Sequence, residues 1–120
     1  MKRLIDKYDG TIIQDDGPCK SIEFKQFAKD LKKELKQIDE FRLVDVTVGH
    51  YYVSGFLEKE GKYVYFSFDV PRGNQVMDMS KTDAFNGVLI RTAKNSKDYK
   101  GGHNNFTNFY RFVEDVNNLF

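Results

Sequence analysis

A single cysteine, no tryptophan, two prolines and a net charge of +1 remove support from several functional classes. One thiol, Cys19, cannot close an internal disulfide, so no staple holds the fold and a reducing cytoplasm is the expected setting. A balance this near neutrality gives no global pull toward nucleic acid or an anionic membrane. No apolar run approaches the roughly 20 residues that span a bilayer. The opening residues, Met1 to Asp6, carry basic side chains but no apolar stretch of signal-peptide length. There is no internal repeat and no linker-like tract. One domain over residues 1–120 is expected, long enough to bury a core of its own.

Aromatic side chains are abundant: 11 Phe and 7 Tyr set the character of the core. They concentrate between Phe41 and Val70, where Val44, Val46, Val48, Tyr52, Val53, Phe56, Leu57, Tyr63, Val64, Tyr65, Phe66 and Phe68 surround one short turn. The pattern predicts strands over 41–49, 51–58 and 62–70, and Val88 to Ala93 reads as a fourth. In the first strand Val44, Val46 and Val48 are expected on one face, with Asp45 and Thr47 on the other. A sheet wet on one side alternates more cleanly than this. The second face therefore needs a cover, from the protein's own helices or from a partner.

The turn at Lys59-Glu60-Gly61 decides which side chains share a face. A two-residue loop sets Lys59 opposite Lys62, a like-charge pair. A three-residue loop sets Glu58 opposite Lys62 and places Gly61 at the left-handed position. The second register is the expectation. It groups Tyr52, Phe56, Val64, Phe66 and Phe68 as the core face, and Val53, Leu57, Tyr63 and Tyr65 as a second face available for binding.

Helical spacing appears twice. Phe24, Phe27, Ala28, Leu31, Leu35 and Ile38 predict one amphipathic helix, with Ser21 as its N-cap and a polar face of mixed sign. Phe106, Phe109, Val113, Val116 and Phe120 predict another at the C-terminal end. Leu4, Ile5 and Tyr8 fit a short helical turn, and Thr11-Ile12-Ile13 a short strand. Asp15-Asp16-Gly17-Pro18 and Pro71-Arg72-Gly73-Asn74 read as turns, and Gln75 to Asn86 as a polar connection. The fold class that follows is α+β: an antiparallel sheet of about four strands with two main amphipathic helices packed on it.

The segment with most chemistry is Arg91 to His103. Arg91, Lys94, Lys97 and Lys100 against Asp98 give it +3, so the rest of the chain sums to −2. Lysines beside Gly101-Gly102, whose backbone can approach an anion, make a candidate phosphate site, with His103 at its end. A solvated, solubilising loop is the plainer reading. The spacing is not that of a P-loop. Tyr51, Tyr52, Tyr63 and Tyr65 are candidate stacking platforms, but core packing or protein contact is the better reading, because tyrosine suits half-buried surfaces. Gly61 to Phe68 departs from the RNA-recognition strand pattern, having Tyr63 and Tyr65 where small residues are required. His50, read as a partly buried strand residue, His103 and Cys19 match no zinc spacing. Asp15, Asp16, Asp78 and Asp83 suit turns rather than acid–base work. No catalytic residue, metal or cofactor is assigned.

Three segments, His50 to Phe56, Gly61 to Ser67, and Leu89 to Lys94 running on to Asp98-Tyr99-Lys100-Gly101-Gly102, resemble small uncharacterised proteins encoded on conjugative and other mobile elements of Gram-positive bacteria. The resemblance implies a cytoplasmic accessory protein acting on host defence or element maintenance, and lends no catalytic residues. The functional expectation is a non-catalytic protein-interaction or regulatory protein. Its contacts would be made by Val53, Leu57, Tyr63 and Tyr65 and by the basic loop, toward a protein partner or a second copy, without a membrane. The alternatives are a nucleic-acid or phosphate-ligand binder using Arg91 to His103, and an enzyme of unknown reaction.

Overall fold

The computed structural model describes residues 1–13, 22–71, 75–83 and 87–120. The elements run α1 (Lys2–Tyr8), α2 (Ile22–Lys36), β1 (Arg42–Val48), β2 (Tyr52–Lys59), β3 (Lys62–Asp69), β4 (Val88–Ala93), β5 (Asn105–Thr107) and α3 (Phe112–Leu119). The chain is α+β, with a five-stranded antiparallel sheet in the order β1-β2-β3-β4-β5. Ser21, Cys19, the turn at 15–18 and most of the turn at 71–74 lie outside the described residues.

The β2–β3 turn takes the register that charge alone argued against. Lys59 pairs with Lys62 across a two-residue loop. Glu60 (φ 53°) and Gly61 (φ 80°) both sit in the left-handed region, as the tight hairpin turn that matches strand twist requires. Glu58 buttresses the turn: its carboxylate accepts the Gly61 N–H at 3.0 Å and pairs with Arg42 at 3.2 Å. The two lysines find separate acceptors at the far end of α3. Lys59 Nζ donates to Asn117 Oδ1 at 3.4 Å and Lys62 Nζ to the Phe120 carbonyl at 3.1 Å. A helix C-terminus favours cations, so the repulsion is offset.

That register regroups the faces. Val53, Gly55 and Leu57 lie level with Phe68, Phe66 and Val64, and on β4 Val88 and Ile90 continue the set. Val53 and Leu57, expected on a contact surface beside Tyr63 and Tyr65, are completely buried on the opposite face. Tyr52 and Phe56, expected in the core set, stand with the tyrosines instead. Within β1 the valines also divide. A bulge at Asp45 (φ 44°) shifts the register between Val44 and Val46, so Val44 lies level with Phe56 and Val46 with Gly55.

All three helices pack on the face of Val53, Leu57, Val64, Phe66 and Phe68. Phe24, Phe27, Leu31 and Leu35 of α2 and Phe112 and Val116 of α3 bury into this core with Leu4 and Ile5 of α1. Phe112 meets Phe66 and Phe68 at 6.2 and 5.0 Å between ring centroids. Asp30 joins α2 to α1, accepting from Lys7 Nζ at 2.9 Å and the Tyr8 hydroxyl at 2.7 Å, with Gln26 on its other oxygen. Burial pushes the Tyr8 phenol up, and its bond to Asp30 adds to this. Burial also raises Asp30, but the donors from Lys7, Tyr8 and Gln26 outweigh it and leave the carboxyl below its ordinary value.

Two expected elements differ. Thr11 to Ile13 form no strand; Gly10 N–H donates to the Met77 carbonyl and Met77 N–H to that of Thr11, each at 2.8 Å, which anchors the segment without extending the sheet. The C-terminal helix begins at Phe112 rather than Phe106. Asn105 to Thr107 add a fifth strand to β4, and the Asn108 side chain accepts the Arg111 N–H at 2.8 Å, turning the chain before the helix starts.

Candidate binding surface on the open face of the sheet

With the helices on one side, the second face is built from alternate residues of all five strands. One row crosses the whole sheet: Thr47, Ser54, Ser67, Leu89 and Phe106 stand level. A second row holds Val44, Phe56, Tyr65 and Arg91, and beyond the first lie Tyr52 and Asp69. Tyr63 and Tyr65 are half-buried, Tyr52 is 39% exposed and Phe106 45%. Phe56 is fully buried yet takes no part in the helix-side core.

What buries Phe56 is the β4–β5 connection, residues 94–104, which folds back as a strap. Tyr99 at its middle sets its ring 5.2 Å from Phe56 and 6.0 Å from Tyr65, and Phe56 and Tyr65 meet at 5.3 Å, an edge-on trio. Arg91 fastens the strap. Its guanidinium lies over the Tyr65 ring, 4.6 Å from the centroid, and donates to the Tyr99 carbonyl and to Asn104 Oδ1. Its Nε is buried with no acceptor among the described residues.

The glycines expected to cradle an anion are already occupied. The Asp98 carboxylate accepts the backbone N–H of Lys94 at 2.9 Å and of Lys100 at 3.2 Å. Those bonds, with a weaker one from Gly101, hold its carboxyl below the ordinary range. A side chain on Gly101 would overlap this carboxylate, and Gly102 (φ +68°) lies against Thr92. The chain's own acid therefore fills the nest that sequence assigned to a phosphate. Arg91 is likewise engaged in holding the strap. Lys94, Lys97, Lys100 and His103 remain exposed around it.

Beside the strap lies a groove of about 340 Å³. Ser54, Ser67 and Thr47 form its floor, Tyr52, Tyr65 and Tyr99 its walls, and Asp69 one end. Gly49 permits this shape, because a side chain there would collide with the Tyr52 ring. Sequence reasoning missed Tyr99, Phe106 and the serines. The serines carried the clearest available signal: two small polar residues, each breaking an apolar strand. His50 is an exposed residue of the β1–β2 turn, not a strand residue. Among the described residues no group of three or more His, Cys, Asp or Glu is placed to hold a metal ion, and no helix is long and apolar enough to cross a membrane. No protein-family model, curated protein or solved structure matches this chain.

Proposed function

We propose that this protein is a non-catalytic binding module that works through the open face of its sheet. The observation that supports this most is the one-sided placement of the helices. It leaves Tyr52 and Tyr99 exposed beside a polar-floored groove and Phe106 exposed farther along the same face, while the opposite face is closed by a continuous apolar core rich in aromatic rings. Three of the exposed large hydrophobic side chains share this face, although Ile22, Val76 and Tyr110 are exposed elsewhere, and neighbouring exposed apolar groups are a mark of interaction sites. The groove carries hydroxyls and aromatic rings, groups suited to recognition. As an accessory protein of a mobile element, the module would act on host defence or element maintenance by occupying a target.

The test is photo-crosslinking in cells from a reactive residue placed at Tyr52 or Phe106, against matched probes at Lys25 and Lys29 on the exposed side of α2. Adducts from the open-face positions that exceed those from α2 are expected. Equal or absent labelling from positions 52 and 106 removes the reading.

A further inference from the structure

Resting on that open-face reading, we propose that the occupant is a single-stranded nucleic acid, with bases stacked on Tyr52, Tyr99 and Phe106 and phosphates neutralised by Lys94, Lys97 and Lys100. Charge makes the first part of the case. Asp98 is the only acid in the strap, and its carboxylate is turned onto backbone N–H groups. Among the described residues no ion pair within 4 Å engages Lys94, Lys97 or Lys100, and Lys94 alone of the three has a longer-range attraction to Asp98. Three exposed ammonium groups thus belong to the same segment that lays Tyr99 on the sheet. A net charge near zero does not oppose this, because the positive charge is local.

The rings make the second part. Tyr52 on β2 and Phe106 on β5 are three strand spacings apart, roughly 14 Å at the usual inter-strand distance. Tyr99 stands over β2 and β3. A flat surface with aromatic rings at intervals and exposed lysines on the strap beside it suits a polymer that alternates a ring with a negative charge, the phosphates lying on the strap side and away from Asp69 at the groove's end. An acidic protein surface would also answer the lysines, and exposed aromatic rings serve protein contacts too, so protein is the competing occupant that the crosslinked species identifies. A duplex would answer the lysines while keeping its bases stacked away from the rings. The hydroxyls of Thr47, Ser54 and Ser67 line the groove beside Tyr52 and Tyr99 and both donate and accept, as base edges and sugars require.

The experiment is fluorescence anisotropy with labelled 20-nucleotide oligo(dT) and oligo(U), a 20-base-pair duplex as control, and the whole chain. Binding of either single strand is expected, tighter than the duplex. Three neutralised phosphates predict a weakening of roughly 20-fold between 50 and 200 mM salt. Lys97→Ala with Lys100→Ala should flatten the salt dependence. Tyr52→Ala and Phe106→Ala should each weaken binding about 5-fold or more. Lys25→Ala with Lys29→Ala, on the far side of the molecule, should not. Absence of binding to both strands at 50 mM salt, duplex binding as tight as single-strand binding, or affinity indifferent to the lysine pair would each overturn the proposal. If crosslinks from Tyr52 and Phe106 then lead only to protein, the open-face reading survives and the nucleic-acid assignment alone fails. If those crosslinks are also missing, both fail.

Discussion

At the scale of single residues, Gly55 shows how one missing side chain sets the geometry of the edge. The Asp45 bulge turns its carbonyl toward Gly55, and any Cβ there would overlap that oxygen and press on the Phe66 ring. Asp at a positive φ is tolerated because its short polar side chain suits the left-handed region. The bulge and the glycine are thus one device, and it twists the outer strand where an unpaired edge would otherwise invite pairing. Gly55→Ala should destabilise the protein by about 1–3 kcal/mol, the usual cost of forcing atoms into a filled site. Urea denaturation would show it as a lower midpoint with unchanged slope. An unaltered midpoint would mean that the bulge relaxes freely. The bulge was invisible in the sequence for a plain reason: strict alternation of Val44, Val46 and Val48 describes a regular strand equally well. Register failed similarly at Lys59 and Lys62. Their repulsion was readable, but the acceptors that relieve it lie at residues 117 and 120, brought close only by the fold.

Among elements, the strap is one whose stability should depend on pH, as should that of the α1–α2 contact through Asp30. Asp98 carries a carboxyl lowered by the Lys94 and Lys100 amides, so it releases its proton more readily in the folded protein than in the unfolded chain. A lowered folded value contributes stability that is present above the ordinary carboxylate range, near pH 4, and lost as pH falls through the folded value. Acidification below about pH 4 should therefore free the Lys94 and Lys100 amides and lift Tyr99 from Phe56 and Tyr65. Asp98→Ala should do the same at neutral pH, raising exchange of those two amides roughly tenfold, the scale of one lost charge-assisted hydrogen bond. NMR-detected exchange and Tyr99 ring shifts would report both. Strap amides that exchange alike in variant and parent would refute this account. The long helix α2 was legible because its period repeats over several turns, and the four longer strands because each is a run of β-branched and aromatic residues bounded by turn residues. The strap and β5 were not, since Asn105-Phe106-Thr107 is too short to carry a period and gains its strand geometry from β4 alone.

Across the whole molecule, the two faces of one sheet divide stability from recognition. Phe68 on the helix side touches Phe66, Phe109 and Phe112, with ring centroids 5.0–5.4 Å away, and has no exposed surface. Phe68→Ala should cost about 3–5 kcal/mol, the toll of an aromatic cavity in a core that cannot close over it. Tyr52→Ala and Phe106→Ala remove side chains that are 39% and 45% exposed and lie outside the helix-side core, so each should cost far less than Phe68→Ala, about 1 kcal/mol. The contrast becomes sharper once ligand is added. Anything that binds only the folded state stabilises it, by about 2.7 kcal/mol at a hundred times its dissociation constant. Saturating oligonucleotide should raise the melting temperature of the parent protein. Tyr52→Ala and Phe106→Ala should keep nearly the parent melting temperature alone yet lose most of that rise. Differential scanning calorimetry with and without oligo(dT) and oligo(U) reads both quantities on the same samples. Large losses of intrinsic stability in Tyr52→Ala or Phe106→Ala would place those rings in the structural set. The open face would then be a second core layer awaiting a permanent cover rather than a surface for reversible contact.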